Sequence, residues 1–140
     1  MNESLKLENQ LCFPLYACAK EIVRRYTTLL EPLGLTYTQY IAMMVMWEHK
    51  SISVRDMGKL LFLDSGTLTP MLKKMEKAGW IQRKRSERDE RMVILTITAR
   101  GEELHDMAAE IPSKMARCVT LENDEALQLY SLLNKMMKSF

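Results

Sequence analysis

Two histidines, three cysteines, four prolines and five glycines are all that this chain of 140 residues has of the types that bind zinc, cross-link chains or break helices. His49 and His105 stand alone, so no zinc ligand set can be assembled around them. Cys12, Cys18 and Cys118 are an odd and scattered set, which is not a disulfide framework and fits a reducing compartment. No apolar run approaches the roughly 18 residues that a membrane-spanning helix takes. The Met1–Ser4 start has neither the basic block nor the apolar block of a secretion signal. The expectation is a cytoplasmic chain without a membrane partner. A glycine-rich phosphate loop and a Ser/His/Asp grouping are both missing, so neither an enzyme nor a bound cofactor or metal is expected. Neither sign of charge dominates: 20 Lys and Arg against 18 Asp and Glu leave a net charge of +2. Affinity for nucleic acid can therefore come only from local clustering of charge.

What remains is apolar and helix-forming. Apolar residues make up 47% of the chain, twelve of them Met, and the length suits a single domain with its own core. Residues 8–30 carry Leu11, Leu15, Ile22, Leu29 and Leu30 at helical spacings, and Pro14 confines the start of that helix to its own vicinity. Cys12 is thereby placed near a helix N-terminus. Gly34 closes a short connection, and residues 37–48 form a second helix with Ile41, Met44, Val45 and Trp47 apolar. Ser53-Val54-Arg55-Asp56 has the form of a capping box and opens a third helix ending near Leu63. A fourth starts at about Asp64-Ser65, turns Leu68, Met71, Leu72 and Met75 to one side, and stops before Gly79. Two short helices joined by a tight turn are the helix-turn-helix pattern. The period then changes: residues 80–83 and 92–98 read as strands around a polar hairpin at 84–91. Thr98 caps a helix over 99–118 that Pro112 should kink or break. Asn123 or Thr120 caps a last helix, to about Lys138, with Leu127, Tyr130, Leu133 and Met137 on one stripe.

The fourth helix has a second face bearing Ser65, Thr67, Thr69, Lys73, Lys74 and Lys77. Small hydroxyls near a helix N-terminus allow close approach to base edges, and the lysines beyond them can neutralise phosphates. The hairpin sets Arg83, Lys84, Arg85, Arg88 and Arg91 against Glu87, Asp89 and Glu90. Each feature alone reads as solvated surface. Their succession, helix–helix–basic hairpin, is that of a winged helix, whose helix enters the major groove while the wing brings arginine to the minor groove.

At this point the chain resembles the MarR family of winged-helix regulators, and within it the organic-hydroperoxide-sensing, OhrR-like branch. The stretches that carry the resemblance are Leu7-Glu8-Asn9-Gln10-Leu11-Cys12-Phe13, Leu33-Gly34-Leu35-Thr36-Tyr37-Thr38-Gln39-Tyr40, residues 63–76 and residues 83–91. The fold this implies is mainly α with a small β-hairpin wing. One domain spans 1–140: a winged helix-turn-helix at about 37–98, and dimerisation helices at about 8–33 and 99–140. The implied function is a homodimeric transcriptional repressor that binds double-stranded DNA at a palindromic operator and lets go when an organic hydroperoxide oxidises a cysteine. By the same resemblance Cys12 is the reactive thiol, Tyr16, Tyr26 and Tyr37 are its hydrogen-bonding phenols, and Asp89 supports a minor-groove contact from Arg91.

Spacing adds a constraint. Tyr16 lies one turn from Cys12 on the same helix face. Tyr26, fourteen residues on, lies roughly 21 Å along the same helix, so it can serve Cys12 only from another subunit. The attacking species is the thiolate, only about 3% of a free thiol at neutral pH, and a helix N-terminus and phenol donors both stabilise it. Leu11, Phe13 and Leu15 favour an organic over a small polar oxidant. Cys118 is a candidate resolver of an oxidised Cys12 across subunits. Cys18, about 240° around the helix from Cys12, is read as structural. Two alternatives stay open: release by a small aromatic or lipophilic ligand with Cys12 merely buried, and a thiol peroxidase.

Overall fold

The computed structural model describes residues 1–140. The first helix, α1, spans Cys12–Leu30 rather than starting at residue 8. Pro14 is its third residue, so the missing amide proton falls among the first-turn donors that have no helical partner in any case. The residues ahead of it form two 3-10 turns, Glu3–Leu5 and Leu7–Asn9. The Gln10 amide braces them by donating to the carbonyls of Ser4 and Lys6 at 2.7 and 2.8 Å.

A 3-10 turn at Glu31–Leu33 ends on Gly34 at φ +74°, and α2 follows over Tyr37–His49. A capping box starts it: the Gln39 N–H donates to Thr36 Oγ1 at 3.2 Å, and the Thr36 N–H donates to the Gln39 side chain at 3.0 Å. This helix is the central post of the core, burying Tyr40, Ala42, Met43, Val45 and Met46. Of the apolar residues named on it from sequence, Val45 is buried and Met44 is exposed.

Strand β1, Ser51–Ser53, was not legible in the sequence, because three residues are too few to show alternation. It pairs antiparallel with the later strand β3, Val93–Ile97, which also pairs with β2, Ile81–Arg85. The result is a three-stranded sheet ordered β1-β3-β2, where the sequence indicated only a two-stranded hairpin. Helix α3, Val54–Leu61, is capped by Ser53, whose hydroxyl accepts from the Asp56 N–H at 3.0 Å. The expected box is half made, since the Asp56 carboxylate, a methylene shorter than Glu, makes no return bond. Helix α3 stops two residues before the expected Leu63, with Phe62 turned left-handed at φ 56°.

Helix α4, Ser65–Lys77, takes its cap from Asp64, which accepts from the Thr67 N–H at 2.8 Å. Leu68, Met71, Leu72 and Met75 are buried as the periodicity indicates. Gly79 at φ +87° ends the turn that leads into β2. Thr98 caps α5, Ala99–Ala108, and donates its own hydroxyl to the Gly79 carbonyl. The predicted helix over 99–118 is broken, as Pro112 suggested, with α6 restarting at Ile111–Ala116. Helix α7 spans Asn123–Met137. Its cap is neither Asn123 nor Thr120 but Glu122, which has extended backbone and an N–H donating to the Glu125 carboxylate at 3.0 Å.

The two ends of the molecule differ in burial. The core gathers around α2, α4 and the sheet, whereas α7 buries no residue at all and α1 only Leu30. On α7, Leu127, Tyr130 and Leu132 are 69%, 68% and 60% exposed. No helix is long and apolar enough to cross a membrane.

Candidate DNA interface and thiol site

The α4 surface opposite its buried stripe presents Ser65, Thr67, Lys73, Lys74 and Lys77 in the open and Thr69 half-buried. The Asp64 side chain accepts from the Thr67 N–H and so fixes the first turn of α4, on which Ser65 and Thr67 are exposed. Between α3, α4 and the wing runs an open groove of about 1190 Å³ that takes in Ser65, Thr69, Arg85 and Arg91. Arg55 and Lys59 also line it, and sequence reading passed over both. The available signal was their four-residue spacing, which puts them on one face of α3.

The wing is held by its own polar groups. Arg85 Nη1 donates to the Glu90 carbonyl at 2.7 Å, and the Arg88 N–H donates to Ser86 Oγ at 3.2 Å. Asp89 Oδ1 accepts from the Arg91 N–H at 3.0 Å and faces Arg91 Nε at 3.6 Å. The Arg91 side chain is 94% exposed, so Asp89 orients it without burying it. Arg83 lines the same groove as Arg85 and Arg91, but its guanidinium is paired with a side chain of another element, Glu76 of α4.

Cys12 is the first residue of α1 and is exposed, with Tyr16 one turn along and 62% exposed. The other two predicted phenols lie elsewhere in the subunit. Tyr26 and Tyr37 stack with ring centroids 4.8 Å apart, and Tyr40 joins them at 5.7 and 6.4 Å. Tyr40 was missed as a member of this cluster, although its i,i+3 relation to Tyr37 was available. Burial raises the pKa of all three phenols, with the neighbouring rings adding to it for Tyr26 and Tyr40; Tyr40 is pushed up to about 12. The rise of α1 puts Tyr26 about 21 Å from Cys12. The subunit therefore holds the thiol and the paired phenols at opposite ends of one helix.

Cys118 lies beyond α6, half-buried, with its thiol directed at the Lys114 carbonyl at 3.6 Å. Arg25 Nη1 donates to the Cys118 carbonyl at 2.8 Å. Cys118 thus lies within reach of the Arg25 side chain, whose own Cα is about 20 Å along α1 from Cys12. A disulfide needs Cα atoms within about 7 Å, so no bond joins these two within a subunit. Cys18 is exposed on α1. Nowhere do three His, Cys, Asp or Glu side chains gather closely enough to hold a metal ion.

Comparison with known proteins accords with this geometry. The profile of the family described as "Transcriptional regulator SarA/Rot" matches residues 24–107. The organic hydroperoxide resistance transcriptional regulator of Bacillus subtilis is 45% identical over 137 residues, covering 98% of this chain and 93% of that protein. Reduced AbfR bound to DNA superposes with a TM-score of 0.82 at 34% identity, over 99% of this chain and 98% of that one. The disulfide form of AbfR, a protein of Staphylococcus epidermidis, superposes with a TM-score of 0.72 at 33% identity, over 98% and 93%. Sequence and fold together show that this chain belongs to the SarA/Rot-type transcriptional regulators, winged helix-turn-helix proteins of MarR architecture.

Proposed function

We propose that this protein is a homodimeric repressor that grips a palindromic operator while Cys12 is reduced and releases it when an organic hydroperoxide oxidises that thiol. The observation that carries this reading is the separation of Cys12 from the Tyr26–Tyr37 pair along α1. A second copy, packed on the apolar faces that α1 and α7 leave uncovered, would bring one subunit's thiol to the other's phenols. Cys118 shares the Tyr26 end of α1, so the same subunit would offer both the phenols and the resolving thiol to its partner.

The chemistry balances in two steps. The Cys12 thiolate attacks the distal oxygen of the hydroperoxide; the O–O bond breaks, sulfenic acid forms, and the alcohol leaves after taking a proton. Cys118 of the partner subunit then attacks the sulfenic sulfur, an S–S bond forms and water leaves. Moving an operator from mostly bound to mostly free takes about 5.5 kcal/mol of differential stability. A covalent tie across the subunit boundary shifts both reading heads together, which one added oxygen atom does not. That this chain superposes better on the reduced, DNA-bound relative than on the disulfide form supports such a movement. Peroxide is consumed stoichiometrically rather than turned over, as in a cytoplasmic regulator and not an enzyme.

The test is an electrophoretic shift on the chain's own upstream DNA with cumene hydroperoxide, salicylate or neither. The expected result is release by the peroxide alone, lost in Cys12→Ser. A disulfide-linked dimer on non-reducing gels should vanish in Cys118→Ser. Release by salicylate that persists in Cys12→Ser would replace thiol sensing with ligand sensing.

A further inference from the structure

Glu76 is an acid among Lys73, Lys74 and Lys77 on the helix that faces DNA. By charge alone it weakens binding to a polyanion. Its contacts give it a different task. Oε2 accepts from the Arg83 N–H at 3.0 Å, and Oε1 accepts from Arg83 Nε at 3.1 Å and lies 3.1 Å from Nη2. Strand β2 is an edge of the sheet, so its outward amides have no strand partner, and Glu76 supplies one of them with an acceptor. The two side chains are 37% and 26% exposed, the arginine the less so of the two.

We propose that Glu76 is a positioning residue for operator recognition: it clamps the edge of β2 to α4 and so sets the offset between the reading helix and the Arg91 tip, with Arg83 serving the clamp rather than the DNA. A helix in one groove and a wing in the next must keep a fixed separation if both are to engage one half-site. The pair is made inside one subunit: the Nε and Nη2 edge of the guanidinium grips one carboxylate oxygen while the Arg83 amide holds the other, and such charge-assisted contacts are among the stronger ones available to side chains. The Arg83 amide, and then its side chain, hold the Glu76 carboxyl below the usual carboxylate range, so the clamp is charged at neutral pH. This inference rests on DNA binding by the family and is independent of how Cys12 is oxidised.

The test compares Glu76→Gln, Arg83→Met and the double variant with the parent protein by fluorescence anisotropy. The probes are an operator duplex selected by the parent protein from random sequence and a scrambled duplex of the same length. For Glu76→Gln the expected result is about a tenfold loss on the operator, with no loss on the scrambled duplex. Its log–log salt slope on the operator should be shallower by about one unit for each wing phosphate contact given up. The double variant should bind no more weakly than the weaker single variant, because both disable one device. Operator binding by Glu76→Gln as tight as the parent's or tighter, the outcome charge alone demands, overturns the proposal. So do additive losses in the double variant. Arg83→Met keeps the aliphatic stem and leaves the backbone contact to Glu76 in place, so it serves if Glu76→Gln folds poorly. Its loss should fall on the operator only; an equal loss on both duplexes would make Arg83 an ordinary phosphate contact.

Discussion

The winged-helix head of this molecule and the end built from α1 and α7 are both rich in apolar residues but reach opposite states within one subunit. In the head, α4 buries Leu68, Met71, Leu72 and Met75 against α2 and the sheet, and every apolar position on its stripe finds a neighbour. At the other end, α7 has the same kind of stripe, yet Leu127 and Tyr130 are more than two-thirds exposed. The contrast separates a part that folds on its own core from a part that leaves its apolar residues uncovered, the surface that the proposed dimer would cover. Soluble monomers rarely leave contiguous apolar surface of this extent uncovered, and the thiol site lies on the uncovered side.

Substitutions of the same kind should act differently at the two ends. Leu127→Glu, placed on the uncovered stripe of α7, should leave the helical content of the subunit unchanged. It should break the dimer and cost operator affinity about a hundredfold or more, because two linked heads bind far more tightly than one. Sedimentation read beside anisotropy checks this; a dimer of parental affinity would mean that α7 is not the interface. In the head, Leu72→Ala should lower unfolding stability by about 2–5 kcal/mol through a cavity, seen as a shifted urea midpoint at unchanged slope. Asp64→Ala removes the cap of α4 and should cost about 1 kcal/mol, with a comparable fall in operator affinity if that turn reads DNA as proposed. A loss in stability without one in binding would detach the first turn of α4 from recognition.

The smallest effect tests the boundary between the two ends, where the phenols lie. Tyr26, Tyr37 and Tyr40 bind their protons more tightly in the folded chain than an ordinary phenol does. Their contribution to stability is whole below pH 10 and is lost as pH rises through the folded values, which for Tyr40 lies near 12. An absorbance titration should show three of the five tyrosines ionising late. In a Tyr40→Phe variant the remaining late phenols should move back toward pH 10 as their packing loosens.

Much of this was legible in the sequence because it depends on local chemistry. Hydrophobic spacing, the cap at Thr98, the break at Pro112 and the order of helices before a basic hairpin are properties of neighbours along the chain. So is the placing of Cys12 at a helix start, which Pro14 enforces. What required the tertiary structure depends on residues far apart in sequence. Strand β1 is too short to declare itself and exists because β3 offers it an edge. Arg83 looks like its neighbouring arginines until Glu76 takes it. Tyr40 joins Tyr26 and Tyr37, and Cys118 comes within reach of Arg25, only through packing across α1, α2 and α6. Sequence alone determined which groups this protein carries and which helical faces they occupy, because the 3.6-residue turn is a local property of the backbone. Tertiary structure decided which groups meet, because ion pairs, ring stacking and strand pairing depend on distance in space, which periodicity does not contain.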